Sequence, residues 1–182
     1  MYDIFGDIHG YYSNLEALFR KMGYTLGPKG WLPPDGRKAV FLGDLIDRGP
    51  DQLRVLEAVR SLCESGHAHC IMGNHELNAI AYATAHPHVS GEFVRKHSEK
   101  NRRQHQAFLE QLGEGSPAYR YWIDWFRTLP LFLDLGNIRA VHAYWNTTHQ
   151  ETLIKHGLGA GRLNDEHIVS GFDKEGSHSV YH

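Results

Sequence analysis

Three short apolar runs alternate with helical patterns over the first half of the chain. The runs occupy 2–5, 39–42 and 69–72, and their length and composition indicate buried strands. A pattern of helical spacing follows each run, with these apolar positions: Leu15, Leu18, Phe19 and Met22; Leu53, Leu56, Val59 and Leu62; Leu77, Ile80 and Ala81. Strands and helices that alternate with short loops are typical of right-handed parallel crossovers, so the pattern predicts an α/β sheet.

Local signals set the predicted ends of these elements. Ser13 with Glu16 three residues later has the spacing of a capping box at the start of the first helix. The second helix runs from about 51 to 65, and Gly66 is its expected C-terminal cap. Residues 23–37 are rich in Gly and Pro, which predicts an irregular connection, with a hairpin over the cleft as one option.

The periodicity is lost between residues 84 and 104, where basic side chains accumulate around His97. These are Arg95, Lys96, Lys100, Arg102 and Arg103. Two interpretations stay open. Charged runs are usually solvated faces, which favours an exposed excursion. A basic lid that helps to select a phosphorylated substrate is the second option.

The second half of the chain adds a helix and a hairpin. Ser116 followed by Pro117 predicts a helix start. An aromatic stripe then follows at helical spacing, which we interpret as core packing: Trp122, Trp125, Phe126 and Leu129. Residues 131–135 and 138–141 flank a Gly-Asn turn and predict a β-hairpin whose second strand ends at His142. Residues 151–158 and 165–169 have helical patterns.

Polar side chains follow the predicted strands at the points where those strands end. They are Asp7 and His9; Asp44, Asp47 and Arg48; Asn74 and His75; and His142. In open α/β sheets, ligands bind beyond the carboxyl ends of the strands, so these side chains are expected to converge on one cleft. The convergence of carboxylates, an amide and imidazoles predicts a metal site.

The residue types define the chemistry of this predicted site. Asp7 and His9 lie two positions apart and can share one metal ion, while Asp44 can offer two oxygens to a pair of metals about 3.5 to 4 Å apart. Asn74 adds a neutral carbonyl oxygen, and His142 adds an imidazole. Nitrogen and oxygen donors without thiolate suit Mn, Fe, Zn, Co or Ni better than a structural zinc site.

Three further residues have the chemistry of phosphoryl transfer. Arg48 has the fork geometry that binds phosphate. His75 is free to protonate a leaving oxygen, and Asp47 can orient its ring. A two-metal centre lowers the pKa of a bridging water and holds phosphate oxygens for in-line attack. Each motif alone is explained by turn chemistry or an ion pair, but three motifs at three strand ends favour a catalytic site.

The motifs at 6–10, 43–49 and 73–76 resemble the signature blocks of the calcineurin-like metallophosphoesterases. The Asp-Arg-Gly and Asn-His-Glu forms resemble the branch that contains phosphoprotein phosphatases and bacterial diadenosine tetraphosphatases. The resemblance covers residues 1–145. It implies an α/β fold, or α+β in some schemes, with a β-sandwich core flanked by helices.

The resemblance also implies a function and a set of roles. It implies a phosphoester hydrolase that acts on a phosphomonoester, a phosphoprotein or a dinucleoside polyphosphate. The implied cofactor is a pair of metal ions, and manganese is the metal that we favour. The implied ligands of one metal are Asp7, His9 and Asp44, and those of the other are Asp44, Asn74 and His142. The implied catalytic residues are His75 as the acid, Asp47 as its partner and Arg48 on the phosphate.

The chain departs from the family pattern after His142. The family has another metal-binding His, usually in a Gly-His pair on a later strand, whereas His167, His178 and His182 do not follow Gly. We therefore expect residues 146–182 to form an atypical tail, the C-terminal part of the second sheet to be missing, and the second metal to bind weakly. A truncated, weakly active or non-catalytic metal-binding module is the alternative to the enzyme.

Composition narrows the remaining options. A formal charge of −2 and a pI near 6.7 give no electrostatic support for nucleic acid as the main partner. A nuclease of the same superfamily is therefore a weaker option than a phosphatase. Two cysteines without CxxC spacing indicate a reducing compartment. No apolar run reaches about 18 residues, so no membrane span is expected. We expect one cytoplasmic domain over residues 1–182.

Overall fold

The computed structural model describes residues 1–155, 157–158 and 163–172. Its strands are β1 (Tyr2–Phe5), β2 (Thr25–Gly27), β3 (Gly30–Leu32), β4 (Lys38–Phe41), β5 (Ala68–Cys70), β6 (Phe132–Asp134) and β7 (Arg139–Val141). Its helices are α1 (Tyr12–Lys21), α2 (Gln52–Glu64), α3 (Asn74–Ala83), α4 (Glu99–Leu112), α5 (Pro117–Phe126), α6 (Thr147–Lys155) and α7 (Asp165–Phe172).

The centre of the fold is a parallel sheet with the strand order β1-β4-β5. Val40 pairs with Ile4 on one side and with His69 on the other, so β4 lies in the middle. Ala39, Val40 and Phe41 have almost no exposed surface, which explains why this strand is a continuous apolar run. The described residues also form two antiparallel pairs, β2–β3 and β6–β7. The predicted α/β class and the parallel crossovers are confirmed.

The core beside this sheet is largely aromatic. Phe5 of β1 stacks on Phe41 of β4 at 5.0 Å between ring centroids and meets Phe19 of α1 edge-on at 5.3 Å. Trp31 of β3 packs on Phe19 at 5.1 Å and is buried. These contacts fix α1 and the β2–β3 hairpin against the sheet, because large rings bury much apolar surface at defined geometries.

The capping box predicted for the first helix is wrong, and the cap predicted for the second is confirmed. Tyr11 precedes α1 without a side-chain cap bond, so Ser13 already lies in the first turn. Glu16 instead binds Arg20 one turn later, at 2.7 Å. At the end of α2, Gly66 has a φ of +75°, as expected for a glycine that ends a helix.

The predicted hairpin within residues 23–37 forms, but it lies away from the cleft. The hydroxyl of Ser61 on α2 donates to the carbonyl of Lys29 in the hairpin turn at 2.7 Å. Ser61 is nine residues beyond Gln52, the first residue of α2, so this contact lies about 13 Å along the helix from the carboxyl edge of the sheet. The prediction that the hairpin covers the cleft is therefore wrong.

The segment from 84 to 104 is not irregular throughout, because α4 begins at Glu99. Ser98 caps this helix, and its hydroxyl accepts from the backbone of Asn101. The first turns of α4 expose nearly all their side chains, and the buried face begins only at His105. A helix that is polar on all faces in its first turns shows no hydrophobic period, which explains why the sequence pattern did not indicate it.

The helix and hairpin predicted for the second half are confirmed. Ser116 caps α5 by accepting from the backbone of Tyr119 at 3.0 Å. The aromatic stripe of α5 is buried in the core, as predicted. Strands β6 and β7 pair antiparallel, and the carbonyl of Pro130 accepts from the backbone of Met72 at 2.8 Å. This bond joins the hairpin to the end of the parallel sheet and so places His142 near the other strand ends.

The loops that follow β4 and β5 approach each other without room for a side chain. Gly43 has a φ of +89°, and a Cβ added there would lie 2.2 Å from the backbone nitrogen of Gly73. Gly66 has a similar φ of +75°, but an added Cβ would have open space. The two glycines share a left-handed backbone conformation, but only Gly43 lies against the backbone of a neighbouring loop.

We therefore expect Gly43→Ala to destabilise the protein much more than Gly66→Ala. The control should cost about 1–2 kcal/mol for the left-handed conformation alone. Gly43→Ala should cost more than about 3 kcal/mol, because the backbone of the neighbouring loop must also move. Urea denaturation measures both. Equal costs for the two variants would show that the loops separate easily.

Candidate metal centre

Backbone strain in this structure is concentrated in the loops after β1 and β4. Among the described residues, the non-glycine positions with positive φ are His9 at 48°, Asp44 at 53°, Asp47 at 71° and Arg48 at 69°. Left-handed backbone is unfavourable for residues with a Cβ, and such strain collects at functional sites. All four residues are predicted site residues.

Backbone hydrogen bonds hold these two loops against each other. The N–H groups of Ile8 and His9 both donate to the carbonyl of Asp44, at 3.0 and 2.9 Å. The N–H of Gly10 donates to the carbonyl of Leu45 at 2.7 Å. These bonds fix the strained backbone and bring the first and second motifs to one place.

The buried carboxylate of Glu76 joins the second and third motifs. Its Oε2 accepts from the backbone N–H of Asp44 at 2.8 Å and of Gly73 at 2.9 Å, and its Oε1 accepts from Leu45 at 2.8 Å. Burial, and next the charge of Asp44, raise the pKa of Glu76, while the three N–H donors lower it in part. The sequence analysis gave Glu76 no role. The available signal was its position three residues after Gly73: Glu76 accepts from the backbone N–H of this N-cap residue, which is one half of a capping box, since glycine has no side chain for the other half.

The structure brings the predicted ligands together around the carboxylate of Asp44. Its Oδ2 lies 3.5 Å from Nε2 of His142 and 3.8 Å from Nε2 of His9. Nε2 of His9 also lies 3.7 Å from Oδ2 of Asp7. The amide oxygen of Asn74 lies 2.9 Å from Nε2 of His142. All five predicted metal ligands therefore meet at one edge of the sheet.

The hydrogen bonds of the two imidazoles test whether a cation suits this cluster. Nδ1 of His9 bonds to the carbonyl of Ile46 at 2.8 Å, and Nδ1 of His142 bonds to the carbonyl of Leu42 at 2.7 Å. A carbonyl only accepts, so each Nδ1 carries a proton, and in the neutral ring that a metal ligand requires each Nε2 then presents a lone pair. Nε2 of His9 is buried without a hydrogen-bond partner among the described residues.

Acceptor atoms thus face acceptor atoms across the cluster. The lone pair on Nε2 of His142 faces the amide oxygen of Asn74, and that of His9 faces two carboxylates. A metal-binding His typically donates its other ring N–H to a backbone carbonyl, as both do here. The donor set therefore fits a bound cation.

Two overlapping groups of side chains have ligand atoms within 4.8 Å of one another. One contains His9, Asp44 and His75, and the other contains Asp7, Asp44 and His142. Asp44 belongs to both, as a bridging ligand requires. The grouping differs from the partition that the resemblance implies, because it places Asp7 with His142. The assignment of ligands to each metal stays a prediction.

His75 points towards the same centre and is oriented by Asp47. Its Nδ1 lies 2.6 Å from Oδ2 of Asp47, and its Nε2 lies 3.9 Å from Oδ2 of Asp44. Burial lowers the pKa of His75, but the hydrogen bond to Asp47 and the nearby carboxylates outweigh it and leave the pKa raised. This geometry places a protonatable imidazole beside the metal ligands.

A second imidazole, which the sequence analysis missed, binds the same carboxylate. Nδ1 of His105 lies 2.8 Å from Oδ1 of Asp47, and both side chains are buried. Burial opposes the charge of Asp47, but hydrogen bonds from His105 and then His75 outweigh it and lower the pKa of Asp47. No sequence signal identified His105, because it lies 58 residues from Asp47 in a helix that the pattern did not predict.

Arg48 lies at the open side of the centre. It lines a cavity of about 550 Å³ together with His75, Arg103, Gln104, Gln106, Ala107 and Glu110. A smaller cavity of about 130 Å³, also lined by His75, includes Arg95. Arg102 instead pairs with Glu114 at 3.0 Å. Two residues of the basic segment thus line cavities at the site, which supports the lid interpretation for those two.

The candidates for a further ligand are not part of this cluster as far as the structure describes them. His167 lies on α7, where it exchanges hydrogen bonds with Asn164, and neither group of converging side chains in the described ranges includes it. His178 and His182 lie outside the described residues. The position of a further ligand therefore stays a prediction.

Comparison with known proteins agrees with the class that the fold and site define, an α/β phosphoesterase with a metal centre. The calcineurin-like phosphoesterase profile matches residues 2–175, and the chain belongs to that family. The asymmetrical bis(5'-nucleosyl)-tetraphosphatase PrpE of Geobacillus sp. (strain WCH70) is 51% identical over 73 residues, which are 40% of this chain and 30% of that protein. The PrpE protein of Oceanobacillus iheyensis is 29% identical over 142 residues, which are 78% of this chain and 54% of that protein.

A solved structure of a cold-active protein tyrosine phosphatase shares the fold. It has a TM-score of 0.53 and 17% identity, and the match covers 98% of this chain and 54% of that one. The chain thus spans about half the length, or less, of these relatives. Among the described helices, none is long and apolar enough to cross a membrane.

The Glu76 contacts lead to a prediction about assembly of the site. Glu76→Gln places an amide NH₂ against backbone N–H donors, so at least one buried N–H loses its acceptor. We expect a loss of at least about 2 kcal/mol in the free energy of unfolding, together with weaker metal binding. Glu57→Gln, on the exposed face of α2, is the control. Denaturation and metal titration check both effects, and unchanged metal affinity in Glu76→Gln would contradict the role of this carboxylate.

Proposed function

We propose that the protein is a metal-dependent phosphoester hydrolase with a dinuclear, manganese-preferring centre. The observation that carries this proposal is the convergence of acceptor atoms around Asp44, where imidazole lone pairs face oxygen atoms. Asp7, His9, Asp44, Asn74 and His142 would hold the metals. When bound, two such ions activate a water and stabilise charge on the phosphate.

The remaining side chains would bind the phosphate and move the proton. Arg48 lines the cleft, and a guanidinium suits bidentate contact with phosphate oxygens. Nε2 of His75 faces the centre, so a protonated ring can give its proton to the leaving oxygen. Asp47 holds Nδ1 of that ring and favours its charged form.

A dinucleoside polyphosphate is the substrate class that we favour. The relatives described above are named as bis(5'-nucleosyl)-tetraphosphatases. The larger cavity beside His75 is lined in part by Arg48 and Arg103, and two cationic side chains suit a chain of phosphates better than a single one. Phosphoproteins and small phosphoesters are the competing substrates.

The cysteines support a cytoplasmic location. Cys63 and Cys70 are free thiols, and Cys70 is buried. Burial raises the pKa of Cys63 to about 12 and that of Cys70 well above its usual value. Thiols of this kind are inert core residues, as expected in a reducing compartment.

The activity test compares metals and substrates on the same purified protein. Hydrolysis of p-nitrophenyl phosphate should require added Mn²⁺ and stop with EDTA. Diadenosine tetraphosphate should then be cleaved with a higher kcat/KM than a phosphoserine peptide. Metal binding without any hydrolysis would contradict the enzyme and support the non-catalytic module. A preference for the peptide would contradict the substrate class alone.

The division of roles predicts different kinetic defects in two variants. His75→Asn removes a proton donor that acts only in the transition state, so kcat should fall about 100-fold with a mild effect on KM. Arg48→Ala removes a phosphate contact, so KM should rise as well. His88→Asn, at an exposed position, is the control. The same change in both constants for both variants would refute this division.

The ligand sets predict two metal sites of unequal affinity. One position would have Asp7, His9 and the shared Asp44, while the other would have Asn74, His142 and the same Asp44. A neutral amide is a weaker ligand than a carboxylate. Calorimetric titration with Mn²⁺ should show one tight and one weak site. Two equally tight sites would contradict this asymmetry and indicate a further ligand, with His167, His178 and His182 as the candidates.

A further inference from the structure

His105 and His75 bind opposite oxygens of one carboxylate. Nδ1 of His105 lies 2.8 Å from Oδ1 of Asp47, and Nδ1 of His75 lies 2.6 Å from Oδ2. His105 comes from α4, whereas Asp47 comes from the loop after β4 and His75 from the first turn of α3. The roles described above account for His75 and Asp47 but not for the second imidazole.

We propose that His105 is a positioning residue, which holds the carboxylate of Asp47 in the orientation that directs His75. The proposal rests on the proposed function, in which His75 is the proton donor. His105 itself does not reach the reacting atoms. It acts through Asp47.

The carboxylate of Asp47 needs a second hydrogen bond to hold its orientation. The terminal torsion of an Asp side chain has a broad energy profile, so one hydrogen bond leaves the carboxylate plane poorly fixed. The backbone of Asp47 has a strained φ of 71° and is held by its N–H, which donates to Oε1 of Gln52 at 2.8 Å. Gln52 thus fixes the backbone, and His105 fixes the carboxylate.

The hydrogen bond to Asp47 shows which ring nitrogen of His105 is the donor. A carboxylate only accepts, so Nδ1 of His105 donates the proton in this bond. Its Nε2 is buried without a hydrogen-bond partner among the described residues. The geometry thus makes Nδ1 of His105 the donor that holds Oδ1 of Asp47 and leaves Oδ2 to His75.

Packing fixes the ring of His105 in turn. Its centroid lies 4.9 Å from that of Phe108 and 5.5 Å from that of Tyr82. The helix that carries it is also bonded to the Asp47 loop, since Oε1 of Gln111 accepts from the backbone of Gln52 at 2.7 Å. The donor atom therefore has a fixed place relative to Asp47, as positioning requires.

The test compares two substitutions at this position. His105→Phe keeps an aromatic ring and cannot donate, while His105→Asn keeps an amide N–H where Nδ1 stands. We expect the Phe variant to lose on the order of 10-fold in kcat with little change in KM, and the Asn variant to recover most of it. His97→Phe is the matched control. His97 stacks between Tyr82 and Phe93 and bonds to the carbonyl of Tyr82, and none of these contacts involves Asp47.

The dependence on the leaving group separates positioning from general damage. A poor leaving group such as an alkoxide needs the proton from His75, whereas p-nitrophenolate hardly needs it. His105→Phe should therefore slow an alkyl phosphate more than p-nitrophenyl phosphate. Added to His75→Asn, it should cause no further loss. An equal loss on both substrates, or a full additional loss in the double variant, would overturn the proposal.

An NMR measurement tests the positioning role of His105 without any measurement of enzyme activity. The ¹⁵N shifts of the His75 ring in metal-free protein report its proton positions and its bond to Asp47. They should move in His105→Phe and return towards wild type in His105→Asn. Unchanged shifts in the Phe variant would overturn the positioning role. If the wild-type protein hydrolyses no substrate, the proposed function fails, and these shifts still test the link between His105 and His75.

Discussion

The site depends on one buried carboxylate that holds two backbone loops together. Glu76 accepts three N–H groups, two from the loop after β4 and one from the loop after β5. The same loops meet where Gly43 lies against Gly73, with no space for a side chain. Asp44 lies in one loop and Asn74 begins α3 directly after the other, so the distance between these ligands is set by Glu76 and by the two glycines.

The contacts of Glu76 bring two carboxylates, Glu76 and Asp44, into the buried part of the site. Glu76 and Asp44 are both buried, and burial first and then the charge of Asp44 raise the pKa of Glu76. The backbone N–H groups offset part of this cost on Glu76. On the side of the ligands, neutral imidazoles present lone pairs and add no positive charge. A bound cation would remove the remaining imbalance, which is why folding of the loops and metal binding are expected to support each other.

Sequence reasoning succeeded where the signal is local. The buried strands, the Ser116 cap and the β6–β7 hairpin follow from short patterns, and the strand-end rule brought Asp7, Asp44, Asn74 and His142 together. Sequence reasoning failed where contacts between distant parts of the chain determine the structure. With Ser13 as the cap, the first helix would begin at Asn14, but it begins at Tyr12, two residues earlier. The contacts of Glu76 and His105 cross 31 and 58 residues. No period or motif reports such contacts.

The two halves of the candidate site draw on different parts of the chain. Asp47, His75 and His105 all lie within the first 112 residues, where α4 docks on the sheet-edge loops through its own hydrogen bonds. His142 follows β7, whose described pairing is with β6 alone. In the proposed mechanism, proton transfer by His75 would depend on contacts among described residues of the first 112 positions, whereas a second metal would depend on His142 beside a two-stranded hairpin. We therefore expect changes in the β6–β7 hairpin to affect metal affinity more than the orientation of His75.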